Sequence, residues 1–148
     1  MIEYTVRVGS DGYKSWYLNG KLHREDGPAV ECSNGTKYWY LKDKLHREDG
    51  PAFECSSGYK SWHLKGKLHR GDGPAIEGSN GTKYWYLKGK LHREDGPAIE
   101  CSSGYKSWYL NGEAFTEEEF NLRMNPKPSC NGKLVTIDGK QYKLTEVV

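Results

Sequence analysis

A nine-residue segment, Lys-Leu-His-Arg-Glu-Asp-Gly-Pro-Ala, recurs in this chain at a fixed interval of 23 residues. Its four copies are Lys21–Ala29, Lys44–Ala52, Lys67–Ala75 and Lys90–Ala98, and the third has Gly71 in place of the glutamate. A constant period of this size is typical of repeat architectures, in which every copy forms one structural unit. The period therefore constrains where each strand and each turn can lie.

Each repeat predicts two short strands and two turns. The aromatic strand, residues 14–18 in the first copy, ends at Asn19-Gly20, which favours a type I′ hairpin turn because both central residues need positive φ. Lys-Leu-His-Arg then forms a short return strand, Asp-Gly-Pro bends the chain, and residues 29–32 form the next strand. Strand alternation places Trp16 with Leu18, and we assign Val30 to the same buried face.

The sequence thus predicts an all-β fold, in which tandem β-hairpin repeats form a twisted, solenoid-like antiparallel meander. Five units occupy residues 1–112, and residues 113–148 form a C-terminal cap. A capping-box pattern predicts a helix over about 117–124, and Asp138-Gly139 predicts a hairpin over about 133–145. Gly-Tyr-Lys-Ser-Trp alternates with Gly-Thr-Lys-Tyr-Trp, which predicts that each tyrosine packs beside a Ser or Thr of the neighbouring repeat.

Composition narrows the function classes. The net charge of +2 gives no strong nucleic-acid signal. Neither a long apolar run nor a leader-like start is present, so we expect a cytoplasmic protein without membrane insertion. A single-layer sheet leaves an apolar face to cover, which predicts self-association, most simply a homodimer.

The cysteines predict neither disulfides nor metal binding. Three of the 4 cysteines, Cys32, Cys55 and Cys101, occupy one position of the repeat. Equivalent positions lie two strands apart, about 9–10 Å, which exceeds the reach of a disulfide. We therefore expect free, buried thiols. Because paired Cys or Cys/His spacings are absent from the sequence, we also expect neither a metal site nor a cofactor.

Two repeated sets of residues are candidates for binding. The first is a comb of arginines, each following a histidine and preceding an aspartate by two positions: Arg24, Arg47, Arg70 and Arg93. The guanidinium fork suits phosphate or carboxylate ligands. The alternative is internal pairing with Glu31, Glu54, Glu77 and Glu100, and we favour it because residues present in every copy usually serve the repeat.

The second set is a stripe of rings on the face opposite tryptophan: Tyr17, Tyr40, His63, Tyr86 and Tyr109. These rings suit base stacking or contact with a partner, and equally a second packed face or a subunit contact.

The third repeat departs most from the pattern, since it has His63 for tyrosine, Gly71 for glutamate and Gly78 for cysteine. We expect the two glycines to open space there. We hypothesise a binding site near His63, His69 and Arg70, with ordinary sequence drift as the alternative. Catalysis needs an asymmetric set of residues, which a four-fold motif does not supply, so the sequence indicates a non-enzymatic protein.

The pattern Trp-x-x-Asn-Gly-Lys-x-His, residues 16–23, with its 23-residue period resembles the MORN repeat over about residues 10–112. The continuation Arg-Glu-Asp-Gly-Pro-Ala is closer to the His-Arg-x-Asp-Gly-Pro-Ala repeat proteins of tailed phages. The MORN resemblance implies an elongated antiparallel sheet that acts as a scaffold for protein contacts or, less readily here, binds phospholipid.

The phage resemblance implies an accessory protein in the bacterial host cytoplasm. Such a protein would inhibit host defence by binding a host protein or by sequestering a small signalling nucleotide. A structural scaffold or protein–protein interaction module without a soluble ligand is the rival interpretation.

Overall fold

The computed structural model describes residues 3–128 and 132–145, which form twenty strands and one helix. The strands are β1 (Thr5–Val8), β2 (Lys14–Leu18), β3 (Lys21–Leu22), β4 (Val30–Glu31), β5 (Lys37–Tyr38), β6 (Tyr40–Leu41), β7 (Lys44–Leu45), β8 (Phe53–Glu54), β9 (Lys60–Ser61), β10 (His63–Leu64), β11 (Lys67–Leu68), β12 (Ile76–Glu77), β13 (Lys83–Tyr84), β14 (Tyr86–Leu87), β15 (Lys90–Leu91), β16 (Ile99–Glu100), β17 (Lys106–Leu110), β18 (Glu113–Phe115), β19 (Leu134–Ile137) and β20 (Lys140–Lys143). The all-β prediction is confirmed.

The chain divides into two compact units, residues 1–117 and 118–148. The helix α1 spans Glu117–Met124, as predicted from the sequence. Strands β19 and β20 pair as the predicted hairpin, in a register that sets Val135 opposite Tyr142. Asp138 and Gly139 both have positive φ, 50° and 75°, as a type I′ turn requires. Cys130 lies outside the described residues.

The first unit is built on one open antiparallel sheet. Its strand order is β1-β2-β4-β5-β8-β9-β12-β13-β16-β17-β18, so each repeat adds two strands: the first half of the aromatic strand and the strand after Asp-Gly-Pro. The intervening Ser-Asn-Gly turns close through a Gly35 N–H bond to Cys32 O, and Gly35 adopts a φ of 86°. The sheet therefore grows along the chain as a meander.

The second half of each repeat is a two-residue hairpin that stacks on the next one. Arg24 N–H donates to Tyr40 O, and Asp43 N–H donates to Leu22 O, so successive hairpins are joined by backbone hydrogen bonds. Both central turn residues have positive φ in all five hairpins, 52° and 76° at Asn19-Gly20. This confirms the predicted type I′ turns.

The strand-pairing registers show that Val30 does not lie on the face predicted for it. Val30 lies opposite Ser15 on β2 and opposite Tyr38 on β5. Cross-strand partners project to one face and neighbours along a strand to opposite faces, so Val30 lies opposite to Trp16, not beside it. Spacing within one strand shows which of its residues share a face. Which residues of the next strand lie on that same face depends on the pairing register, which the sequence does not show.

The two faces differ in chemistry. One carries the tyrosines, the Val30 position of each repeat and the return-strand leucines such as Leu22, and we call it the apolar face, whereas Leu18 and its equivalents share the tryptophan face. The other carries the tryptophans and a row in which lysine and glutamate alternate across the strands: Lys14, Glu31, Lys37, Glu54, Lys60, Glu77, Lys83, Glu100 and Lys106. Opposite charges on directly paired positions stabilise the sheet modestly.

Small side chains form the tightest packing. The alanine of every copy is 0% exposed: Ala29, Ala52, Ala75 and Ala98. On the apolar face, Phe53 lies between Tyr38 and the buried Ser61, and the Tyr38 and Phe53 ring centroids are 4.7 Å apart. The predicted packing of each tyrosine beside a Ser or Thr of the neighbouring repeat is wrong here, because the strand after Asp-Gly-Pro lies between them and Tyr38 contacts Phe53 instead. Tryptophans are only half-buried, which leaves their ring faces to be covered by something other than the sheet.

Candidate functional site

The repeated arginines lie flat on the tryptophan rings of their own repeats. The Arg47 guanidinium carbon is 4.1 Å from the Trp39 ring centroid, and the other three distances are 4.0–4.2 Å. Arg47 Nε donates to Asp49 Oδ1 at 2.9 Å, and Nη1 donates to the Pro51 carbonyl at 3.2 Å. Each arginine thus covers a tryptophan and holds the loop that follows it.

These arginines are also neutralised. Nη1 lies 2.8 Å from the glutamate oxygen at Arg70–Glu77 and Arg93–Glu100, and 3.4–3.6 Å in the first two copies. The hydrogen bond from arginine lowers the pKa of Asp26, Asp49, Asp72 and Asp95. The internal pairing predicted for these arginines is confirmed. Nε and Nη1 of every repeated arginine are thus already used within the repeat.

The glycine of Asp-Gly-Pro has a role that the sequence did not reveal. A Cβ built on Gly50 would lie 2.8 Å from the Arg47 guanidinium carbon, and Gly27 and Gly73 are similarly close to their arginines. Glycine is therefore required here for the close approach of a side chain, because an alanine would displace the guanidinium.

The repeated histidines connect one repeat to the next. His46 Nδ1 accepts the backbone N–H of Lys65 at 3.0 Å, and equivalent bonds join His23 to Lys42, His69 to Lys88 and His92 to Asn111. Since Nδ1 is the acceptor, a neutral imidazole carries its proton on Nε2. That nitrogen lies 3.4–3.7 Å from a glutamate in three copies. His69 lacks this neighbour because residue 71 is glycine.

Three open clefts lie between successive Arg-x-Asp-Gly-Pro loops. Each is lined by the loop of one repeat and by the tryptophan, leucine and histidine of the next, and their volumes are about 610, 750 and 610 Å³. The size is that of a small-molecule site. The walls, however, carry acidic residues beside each arginine, as in Asp49, Glu48 and Arg47.

The third repeat does not bring its three candidate residues together. His69 and Arg70 line one cleft on the tryptophan face. His63 follows Trp62 and projects to the apolar face, where its Nδ1 lies 3.5 Å from Ser61 Oγ. Burial lowers the pKa of His63. The predicted grouping of His63 with the other two is therefore wrong in geometry.

The two glycines of the third repeat, Gly71 and Gly78, differ in the space around them. A Cβ on Gly71 would meet nothing within 4 Å, so open space is present there as expected. A Cβ on Gly78 would lie 2.8 Å from Asn80 Oδ1 and 3.2 Å from Thr82 O, so that space is filled.

The ring stripe occupies the apolar face of the stacked hairpins. Four of the five rings lie opposite a leucine across their hairpins, Tyr17 and Leu22, Tyr40 and Leu45, His63 and Leu68, Tyr86 and Leu91, and Tyr109 lies opposite Ala114. All five rings, including Tyr109, are half-buried. Burial raises the pKa of Tyr40 and Tyr86, so their hydroxyls are neutral donors at neutral pH. The stripe forms a continuous aromatic and aliphatic surface.

The described cysteines, Cys32, Cys55 and Cys101, are free, as predicted, but they are partly exposed instead of buried. The Ser57 hydroxyl donates to Cys55 Sγ at 3.2 Å and lowers the pKa of that thiol.

Residues 3–128 and 132–145 contain no cluster of three metal-ligating side chains. Within the same residues, no helix is long and apolar enough to cross a membrane. Searches with protein-family models and against curated proteins found no match to this chain.

Proposed function

We propose that this chain is a non-enzymatic binding protein whose apolar face holds a protein partner. The observation that carries the proposal is the contrast between the two faces. Arginines and histidines are committed to contacts within and between repeats, whereas half-exposed rings and aliphatic side chains continue along the apolar face of the repeats. Extended aromatic surfaces of this kind are typical of protein interfaces.

The resemblance to tailed-phage repeat proteins supports a finer proposal. The partner is then a host defence protein, and the chain acts in the bacterial host cytoplasm as an accessory inhibitor. A homodimer formed through the same apolar face is the competing use of that surface, because a self-complementary patch buries itself by two-fold pairing. A scaffold without any soluble ligand is the alternative.

Sequestration of a signalling nucleotide is a second candidate, supported by the volume of the three clefts. Phosphate would have to displace Asp49 or its equivalents from the arginines, and the neighbouring glutamates would repel it. The electrostatics of the clefts therefore favour the protein-binding proposal.

Native mass spectrometry, before and after incubation with bacterial host lysate, tests the proposal. We expect a retained protein partner. Phe53→Ser with Tyr84→Ser, two half-buried residues of the apolar face, should weaken capture about 30-fold, by analogy with interface anchors. Tyr142→Ser in the C-terminal hairpin, where Tyr142 is 49% exposed, is the matched control. Circular dichroism establishes that each variant is folded.

A retained mass of a few hundred daltons would instead support nucleotide binding. A bare protein in both samples, or equal capture by the double variant and the wild type, would overturn the protein-binding proposal.

A further inference from the structure

Lysines are concentrated at the tips of the stacked hairpins. The three central hairpins have two each, one in the turn and one in the return strand, and the first hairpin has one: Lys21, Lys42, Lys44, Lys65, Lys67, Lys88 and Lys90, here called the lysine edge. A Cβ built on Gly66 would lie 3.6 Å from Lys44 Cβ, and a Cβ built on Gly89 would lie 3.6 Å from Lys67 Cβ. The tips of successive hairpins are therefore in contact. The edge is therefore continuous, about 30 Å long by strand spacing.

The charges of this edge are not neutralised. All seven lysines are exposed. Among the described residues, the ion pairs of the array join arginine or histidine to acids of the loops and of the strands that follow them, and the lysine edge takes part in none. Asp43 lies in the second hairpin turn, between Lys42 and Lys44, and its Oδ1 accepts the Leu22 N–H at 2.7 Å. A net charge of +2 thus conceals a basic edge, because the other acids of the four repeats lie in the loops and in the strands of the sheet.

Three of these lysines have an unfavourable backbone conformation. Lys42, Lys65 and Lys88 each have a φ of 51°, in the left-handed region that bulky L-residues rarely adopt. The terminal repeats have asparagine at the same turn position, Asn19 and Asn111, with a φ of 52°. Asparagine tolerates this conformation much better. Lysine in the central repeats therefore contributes something other than turn stability.

The aromatic rings near this edge indicate which kind of ligand its positive charge would bind. Tyr40 lies two residues before Lys42, and Tyr86 lies two residues before Lys88, on strands that end at the edge. The half-exposed rings recur every second strand, about 9–10 Å apart. The turn lysines lie at the end of this ring row, whereas the return-strand lysines pair with Leu18, Leu41, Leu64 and Leu87 and project to the tryptophan face. Cations at the end of a row of aromatic rings are an arrangement with which proteins bind single-stranded nucleic acids.

We propose that the lysine edge binds the phosphates of a single-stranded nucleic acid, whose bases lie against the tyrosine and leucine row. Lysine acts on phosphate as a point charge and needs no fixed fork geometry, which suits a flexible backbone. A duplex fits less well, because its bases are stacked inside and its backbones wind away from a straight edge. This proposal shares the ring row with the protein-binding proposal but adds the lysine edge, and it departs from the expectation drawn from net charge.

Fluorescence anisotropy with a labelled 30-nucleotide DNA of mixed sequence, at 50 mM and higher salt, tests the inference. The informative variant is Lys42→Asn with Lys65→Asn and Lys88→Asn, which removes three charges and supplies the residue that suits the turns. We expect at least a tenfold loss of affinity, and a salt slope smaller by about 2, since each single-strand contact contributes about 0.7. We expect the midpoint of thermal unfolding to be unchanged or raised.

The matched control is Lys37→Gln with Lys60→Gln and Lys83→Gln, which removes the same charge from the row where lysines lie between glutamates. It should bind within a factor of about three of the wild type. Four results would overturn the proposal: no DNA binding at 50 mM salt, equal losses in both triple variants, tighter binding of duplex DNA, or binding confined to polyglutamate or anionic vesicles. A lowered unfolding midpoint for the asparagine variant would refute the argument from backbone conformation.

Discussion

Arg47→Lys distinguishes a structural arginine from a ligand-binding one. The substitution keeps the positive charge but removes the planar fork that contacts Trp39, Asp49 and Pro51. A lysine ammonium can replace at most one of these contacts. If the arginine serves the repeat, the stability of the chain should fall even with no ligand present.

The expected loss follows from the three contacts. The stack on Trp39 is worth about 0.5–1 kcal/mol at a partly exposed site, and the bond to the Pro51 carbonyl about 1 kcal/mol. The pair with Asp49 adds little, because that side chain is 85% exposed and its charge is screened by solvent. Allowing for what lysine retains, we expect a loss of about 2 kcal/mol. That corresponds to a decrease of about 4–8 °C in unfolding temperature for a chain of this size.

Differential scanning calorimetry and urea unfolding measure the loss directly. Arg7→Lys is the control, because Arg7 lies 4.7 Å from the Tyr17 ring centroid but forms no ion pair with the described residues, and it should change stability by less than about 0.5 kcal/mol. Equal stability of the Arg47→Lys variant and the wild type would refute the structural role and restore the arginine comb as a candidate ligand site.

Three further results are expected. Gly66→Ala should lower the free energy of unfolding by about 1 kcal/mol, because Gly66 has a φ of 82° and an added Cβ would touch the neighbouring repeat. Gly71→Ala should leave that free energy unchanged or raise it slightly, because Gly71 has open space and an ordinary φ. Urea unfolding measures both. The lowered pKa of Asp49 means that its carboxylate stabilises the fold above pH 3.8, and that this contribution disappears as the pH falls through the lowered pKa. Urea midpoints of the wild type and Asp49→Asn should therefore converge in acid. Cys55 should react with iodoacetamide faster than a thiol of ordinary pKa at pH 8, and Ser57→Ala should slow the reaction.

Much of the fold could be predicted because the repeat locates every turn. Asn-Gly and Asp-Gly dipeptides have one favoured hairpin conformation, and the structure has it at Asn19-Gly20 and Asp138-Gly139. The C-terminal helix was equally local, since its start and end signals are adjacent in sequence. Features determined within a few residues were therefore predicted correctly.

Features that depend on the packing of one repeat against the next were not predicted correctly. The face shared by Val30 is set by its register against Ser15 and Tyr38, which lie in different strands. The histidine bonds to the next turn join residues 19 apart, and no pattern in the sequence marks them. The lysine edge was missed because net charge is a sum over the chain and carries no information on placement.

The two kinds of cation in this repeat differ in what the fold demands of them. Replacing an arginine such as Arg70 breaks a stack, a carbonyl bond and two ion pairs, so its presence in every copy needs no ligand to explain it. Replacing Lys65 breaks no side-chain hydrogen bond or ion pair with the described residues, and asparagine would relieve the left-handed turn. Repetition alone therefore does not identify function in a repeat protein. The stronger indication is a repeated residue that the fold would be better without, and here that residue is lysine.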